Sequence, residues 1–566
     1  MTNELIIVDK YINEKKIKEF LANSNLTYIY PINNEDYLKL KNYSNNIIFE
    51  NEYFDNNSHS YLQELSEKIK NVIRGSLLVT FEKKQIKSLI NWISNYYLRK
   101  FLNHKIKLIY SLNKIISKYQ INKVIYFYNE THNHNLDIIK HLTKVEKILF
   151  ENYRSVETYN SKKKFFTTPD FVFKLSNFFI KKFKRSYITS KNYRCREVLL
   201  EYFKIKEYPI LITDSKNLIS ILNNFFKLNL MTLTVIPKKN TQIYYDLNHN
   251  KILNNFPEIV KYDFSDYFSQ SFLIFFNKYF CEAVNKCEFI INYFDEHKPN
   301  LLLSTDSDYI NGFIGEYTSF RNFPSYCLTH GTHTLPKNLN EVIYQKDIGE
   351  NVIINFYPKI FSQSIFCDEF LNYFDIKSDI IKTLPLVFNI KDISSPKNKT
   401  ILHASTIKTE ESTKFWGVES FQEYLSSLND MIKLCISLNY KLIIKPHPSF
   451  ESFAKINDLY SYFNDNNFTV TNESFKKCLN KSDILVSFSS TTIEEALYNH
   501  RPVILYDKHN RYSHLDCKNF SKKGEINKKY PYFYFTNFEI LKENIDIIYD
   551  KHKRKEFEFD WIFKNR

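Results

Sequence analysis

Residues 441–450, KLIIKPHPSF, and 482–507, SDILVSFSSTTIEEALYNHRPVILYD, decide the fold class. Leu442 to Ile444 is a short apolar run halted by Lys445-Pro446-His447-Pro448, and closely spaced prolines neither extend a sheet nor enter a helix interior. A second apolar run, Asp483 to Phe488, passes through Ser489-Ser490-Thr491-Thr492 into IEEALYNH, where Ile493, Ala496 and Leu497 recur at helical spacing. Val503 to Tyr506 returns as a strand after Arg501-Pro502. Strand, polar turn, helix and strand in that order predict parallel β/α units. In such sheets ligands sit at the carboxyl ends of the strands, where both polar loops fall.

The same pattern extends outward. Thr400 to His403 starts a strand directly after KDISSPKNK (391–399), a polar, proline-containing stretch without apolar period that reads as a linker. Upstream, Leu301 to Leu303 runs into Ser304-Thr305-Asp306-Ser307-Asp308, and Ser325 to Leu328 ends at Thr329-His330-Gly331-Thr332-His333. Glycine is scarce, 7 in 566 residues, so Gly331 marks a sharp turn or a close approach to a ligand. The chain opens with β-α-β patterning, a strand at Leu5 to Val8 and another at Leu26 to Tyr30, followed by helical periodicity over about 60–120. The expected class is α/β, with a lobe at 1–390 carrying helical insertions at about 60–120 and 150–205, a linker at 391–399, and a second lobe at 400–566.

Composition narrows the functional classes. Apolar residues at 43% and aromatics at 17% supply a core, and no run approaches the roughly 20 apolar residues that span a bilayer. The N-terminus reads as a first strand and not as a signal peptide, so a cytoplasmic protein is expected. Eight cysteines without ligand spacing give no metal site. A net charge of +15 favours anionic partners, yet no nucleic-acid-binding motif accompanies it, so nucleic acid is not expected. FKLSNFFIKKFKRSY (173–187), with Lys181, Lys182, Lys184 and Arg185, reads either as a basic aromatic helix lying against an anionic inner-membrane face or as a core helix with a lysine-rich outer side. The loop Asn129 to His134 is open between a ligand contact and a solvated turn.

Lys445 and His447, separated by one proline, project together from a strand end, where they can neutralise charge on a leaving phosphate. The turn from Ser487 to Thr492 offers hydroxyl donors and free backbone N–H groups to the same phosphate. Thr491 with Glu494 also fits a capping box that only starts a helix, and both roles are open. The sequence lacks GxxxxGK[ST] and GxGxxG, which counts against a P-loop NTPase or a nicotinamide enzyme.

KPHP followed by a strand and SFSSTTIEEAL resembles the C-terminal lobe of GT-B glycosyltransferases of bacterial surface polysaccharides, most like capsule-type Kdo transferases and bacterial sialyltransferases. The resemblance implies a fold of two doubly wound Rossmann-type lobes facing a cleft, with a CMP-activated acidic sugar as donor and a glycan or lipid-linked acceptor. His447 and Pro448 match the HP motif, Ser489, Ser490 and Thr491 the serine motif, and Glu494 or Glu495 the acidic ribose contact. Lys445, Ser487 and Gly331 complete the expected phosphate site. Asp306 and Asp308, then His330, are the candidates for base or nucleophile, joined by His447 on the leaving-group side. No cofactor or metal is implied. HGTHTLPK (330–337) is similar to the HGT motif of CDP-glycerol glycerophosphotransferases of teichoic-acid-like polymers, which makes CDP-polyol phosphotransfer the alternative, with UDP-sugar transfer behind it.

Overall fold

The protein was analysed as a computed structural model. It describes residues 3–8, 18–19, 27–32, 40, 46–48, 53–128, 135–140, 142, 145–151, 177, 186–188, 198–205, 209–213, 231–236, 242–260, 265–306, 308–329, 334–352, 356–386, 398–404, 415–417, 419–446, 468–524, 526 and 530–563.

The apolar runs of the opening stretch form one sheet. Its strands lie in the spatial order Phe468–Val470, Lys441–Ile444, Thr400–His403, Ile484–Ser487, Val503–Tyr506 and Tyr532–Phe535, all parallel. Counted along the chain this is 3-2-1-4-5-6, the order of dinucleotide-binding sheets. TILH, ILVS, VILY and YFYF are buried at every position, as expected of strands covered on both faces. Helix Phe421–Leu438 covers the sheet; a reciprocal capping box of Ser420 and Glu423 starts it and left-handed Asn439 ends it.

The span 1–390 holds a second parallel sheet of seven strands. From one edge these are Asp379–Lys382, Lys359–Ser362, Ser325–Leu328, Leu301–Ser304, Ser186–Ile188, Ile210–Thr213 and Met231–Thr234. Its order is the same as that of the C-terminal sheet with one strand added beyond the sixth. The α/β class expected from the sequence is therefore what forms, twice over.

A further parallel sheet precedes it in the chain: Thr27–Pro31, Asn3–Val8, Ile121–Tyr128 and Glu146–Glu151. The two-residue period of its strands splits their side chains between two cores. Leu5, Ile7, Val124 and Tyr126 join the core of the helical layer, while Ile6, Val8, Ile125 and Phe127 join that of the C-terminal sheet.

The helices expected over about 60–120 are Asn56–Ser76, Lys87–Tyr97 and Asn103–Lys118, with the strands Leu77–Phe81 and Lys84–Gln85 between the first two. Together with Ser265–Phe275 and Cys281–Glu296 they form an aromatic-rich layer. Each of the two long helical runs contains a π-helical turn, Leu98–Leu102 and Phe276–Phe280. Of the basic segment 173–187, only Asn177, Ser186 and Tyr187 are described, the last two in a strand. The loop Asn129 to His134 and residues 391–397 of the linker lie outside the described residues.

Candidate functional site

In the C-terminal sheet the strand order reverses between Thr400–His403 and Ile484–Ser487, the place at whose carboxyl edge sheets of this order take ligands. Ser487 Oγ ties the two strand ends together there by donating to the Ala404 carbonyl at 2.8 Å. Ser489, Ser490 and Thr491 follow at once, each partly buried. Ser490 Oγ accepts from the Thr492 backbone N–H at 3.3 Å. Thr491 caps helix Thr492–Tyr498 without a side-chain hydrogen bond, so the capping box does not form. Glu494 instead takes the Ser364 hydroxyl, and Glu495, on the same helix, is partly buried. Because the helix is only seven residues long, the hydroxyls are its stronger contribution to an anion site.

Two more polar groups stand on that edge. Lys445 is partly buried, donates to the Pro446 carbonyl at 2.8 Å, and has its pKa lowered by burial. His403 ends the strand beside the switch point; burial lowers it to about 4, and its Nδ1 has no hydrogen-bond partner among the described residues. It is therefore neutral at physiological pH. His447, Pro448, His330 and Gly331 lie outside the described residues.

The central sheet has its own switch point, between Ser186–Ile188 and Leu301–Ser304. Asp306 sits just past the carboxyl end of the latter strand. Ser304 Oγ donates to its backbone carbonyl at 2.6 Å, and Asn311 Nδ2 donates to its carboxylate at 2.6 Å. Burial pushes the Asp306 carboxyl up to about 6, against the opposing pull of the Asn311 hydrogen bond. Asp308, two residues on, is held differently, in an ion pair with Arg99 at 3.5 Å from the first π-helical turn. Tyr309 follows with φ +54°, a left-handed backbone rarely taken by an aromatic residue.

The two carboxyl edges face each other. Ser364, two residues past the central strand Lys359–Ser362, donates to Glu494 beyond the C-terminal strand Ile484–Ser487. Helix Leu339–Val352 reinforces the contact: Tyr344 donates to the Gly417 carbonyl at 2.8 Å and lies in hydrogen-bonding reach of Ser489. Gly417 is required there, since an added Cβ would fall 2.1 Å from the Tyr344 ring. The neighbouring Gln345 donates to Thr334 at 3.2 Å and to Tyr512 at 2.7 Å, and Tyr512 bonds His514 at 3.2 Å.

Arg511 anchors the same region from within. It holds Glu423 with both guanidinium nitrogens, donates to the Trp416 carbonyl at 2.8 Å, and meets His59 Nε2 at 3.0 Å. A guanidinium only donates, so His59 Nε2 accepts and the proton is on Nδ1, which bonds the Phe415 carbonyl. Nothing local in the sequence marks these partners. Tyr344, Arg511 and His59 become neighbours only through tertiary contact, though the scarcity of glycine gave one usable signal at Gly417.

Among the described residues no group of His, Cys, Asp and Glu has the arrangement of a metal site, and no helix is long and apolar enough to cross a membrane. No family model and no curated protein matches the chain. Solved structures with a partial likeness include a UDP-GlcNAc 2-epimerase from Neisseria meningitidis bound to UDP-GlcNAc, at 10% identity and TM-score 0.40 over 67% of this chain and 96% of that one. Another is the Methanocaldococcus jannaschii UDP-GlcNAc 2-epimerase in complex with UDP-GlcNAc and UDP, at 12% and 0.38 over 68% and 96%. A variant of the wall teichoic acid polymerase TagF reaches 12% and 0.36 over 70% and 88%. Likeness at this level assigns neither fold nor activity.

Proposed function

We propose that this chain is a GT-B-type glycosyltransferase of surface-polysaccharide synthesis, moving a Kdo- or sialic-acid-like sugar from a CMP-activated donor to a glycan or lipid-linked acceptor. The observation that carries the reading is the place of the serine turn: Ser489, Ser490 and Thr491 stand at the switch point of a 3-2-1-4-5-6 sheet, where such sheets take nucleotides. Their hydroxyls donate to the donor phosphate, beside the strand ends tied by Ser487. Lys445, with His447 and Pro448 next in the chain, stabilises the charge that develops on departing CMP. Glu494, which accepts from Ser364, or Glu495 on the same helix makes the ribose contact.

Across from this turn, Asp306 acts as base. With its carboxyl at about 6 it is ionised at neutral pH yet basic enough to take a proton. The acceptor hydroxyl gives its proton to Asp306, its oxygen bonds the anomeric carbon, and the bond from that carbon to the phosphate oxygen breaks, CMP leaving with the electron pair. Asp308, tied to Arg99, supports the loop, and His330 is the reserve candidate for the proton transfer.

One observation favours a second reading, CDP-polyol phosphotransfer. The segment after His330-Gly331-Thr332 is anchored against the C-terminal side, Thr334 through Gln345 to Tyr512 and Lys337 to the Leu515 carbonyl at 3.5 Å. The assay that separates the readings is nucleotide release from CMP-Kdo, CMP-sialic acid, CDP-glycerol and UDP-sugars by the full chain with a capsular or lipopolysaccharide acceptor. CMP release is expected; turnover of CDP-glycerol alone would replace the first reading with the second, and turnover of UDP-sugars alone would remove both. Peripheral contact with the inner membrane is part of the proposal. Flotation with anionic liposomes should fall when Lys181, Lys182, Lys184 and Arg185 are changed to Gln, and unchanged flotation removes that contact.

A further inference from the structure

Beside Asp306 the aromatic layer does something its packing role does not require. Trp92 is stacked with two tyrosines, Tyr309 at 4.5 Å and 29° and Tyr96 at 5.2 Å and 19°. From Tyr96 the ring contacts continue to Tyr279 at 6.0 Å and on to Phe101 at 5.9 Å. Trp92 is buried, but Tyr309, Tyr96, Tyr279 and Phe101 are each partly open to solvent. The rings therefore form a continuous wall that begins one residue from Asp308 and runs away from the candidate base.

Three features separate this wall from ordinary core. Phe101 and Tyr279 belong to the two π-helical turns, Leu98–Leu102 and Phe276–Phe280; these are the π-helical turns among the described residues, and they meet here. Such turns are uncommon and are found often at functional sites. Tyr309 keeps its ring on Trp92 at the cost of a left-handed backbone, which a non-glycine residue holds only when its surroundings impose it. The wall is also edged with cations: Arg99 on Asp308, Lys278 over Tyr279 at 5.0 Å and Lys286 over Tyr309 at 5.4 Å.

We propose that the wall of Tyr309, Tyr96, Tyr279 and Phe101, edged by Arg99 and Lys278, is the acceptor site, and that it takes an anionic saccharide with a terminal hydroxyl directed to Asp306. Ring faces cover the apolar C–H faces of sugar rings while the cations meet carboxylate or phosphate groups on the chain. A membrane surface fits less well. Interfacial aromatic segments present their apolar side chains outward, whereas here Trp92 is buried against its neighbours. The assignment deepens the proposed transferase reading and rests on it for the role of Asp306, but the binding of a saccharide stands apart from the identity of the donor.

The chain has three tryptophans, Trp92, Trp416 and Trp561, and one of them lies in the wall. The test is fluorescence titration of the full chain with an oligosialic acid, a glycerol-phosphate oligomer and a neutral malto-oligosaccharide. We expect a saturable emission change with an acidic oligomer that disappears in Trp92→Phe; which oligomer gives it distinguishes carboxylate from phosphate. Arg99→Gln should weaken the acidic oligomer and leave any neutral binding as it was. Tyr309→Gly removes the outer ring and accepts the left-handed backbone without strain, which offsets part of the lost stacking on Trp92, so it should still fold while binding about threefold to tenfold more weakly. The CMP-induced melting shift of each variant serves as control. CMP binding with no saccharide response would overturn the wall as acceptor site and leave the transferase reading standing. A saccharide response without cytidine-nucleotide binding would support the site and count against the donor instead. A Trp92-dependent response to anionic phosphatidylglycerol vesicles, with none to any saccharide, would overturn it in favour of a lipid surface.

Discussion

Asp306 and Asp308 share a loop and a chemistry, yet their surroundings give them different work. Asp308 faces a guanidinium, while Asp306 is buried, and that burial holds its carboxyl at about 6 against the hydrogen bonds from the Asn311 amide and the Asp308 backbone N–H. A base must be ionised to act, so the rate is expected to rise as pH passes through about 6 and then level off. Asp306→Asn should lower kcat by about 10²–10⁴-fold. The same variant should melt higher. A carboxyl whose folded pKa lies above its unfolded value of about 3.9 costs nothing below that value, a growing amount from about 4 to 6, and its full penalty, about 3 kcal/mol at most, above 6. Removing the charge at pH 7.5 relieves that penalty, and Asn can still accept from Asn311. Melting curves of parent and variant at pH 4 and pH 7.5 check it: the gap should open only at the higher pH, and a variant that melts lower at pH 7.5 would place Asp306 in a stabilising interaction instead.

At the level of elements, helix Leu339–Val352 is one of the contacts between the two sheets, and beside it a buried ion pair, Arg511 with Glu423, fixes the C-terminal side. Helix Leu339–Val352 brings Tyr344 against Gly417 so closely that Gly417→Ala is expected to cost about 1–3 kcal/mol through forced displacement of the ring. Urea unfolding measures this directly, and a neutral result would show that the ring is free to move. Glu423, paired with buried Arg511, is held at about 2 despite its burial. Its folded pKa is depressed, so its contribution is complete above the unfolded value of about 4.3 and is lost as pH falls through about 2. Glu423→Ala strands the guanidinium without its carboxylate and should cost about 3–5 kcal/mol at neutral pH. Beyond the scarcity of glycine, which singles out Gly417, none of this was legible in the sequence. The strand ends at Lys445, Ser487 and Ser304 were, because an apolar run stopped by proline or hydroxyl residues is a local signal. The partners of Tyr344 and Arg511 lie far away in the chain, and a residue's spacing carries no record of what will pack against it.

For the molecule as a whole, the α/β class and the serine turn were readable because parallel strands buried on both faces leave continuous apolar runs such as ILVS and VILY. Which sheet a strand joins was less readable. Leu5 to Val8 and Leu301 to Leu303 look alike as runs, and only the partners, Ile121–Tyr128 in one case and Ser325–Leu328 in the other, assign them to different sheets. What emerges is two switch points on facing carboxyl edges, hydroxyls at one and a carboxyl poised near neutral pH at the other. The central claim is that the first of these holds a cytidine nucleotide. It is tested most directly by the melting shift of the full chain with CMP, CDP, UDP and ADP, repeated on the triple variant Ser489→Ala, Ser490→Ala, Thr491→Val. The account predicts that CMP stabilises the parent more than UDP or ADP does, and that the triple variant loses this shift while still melting in one cooperative transition, at a somewhat lower temperature because the Ser489 and Ser490 hydrogen bonds are gone. No shift with either cytidine nucleotide, or a CMP shift that survives the triple variant unchanged, would contradict it.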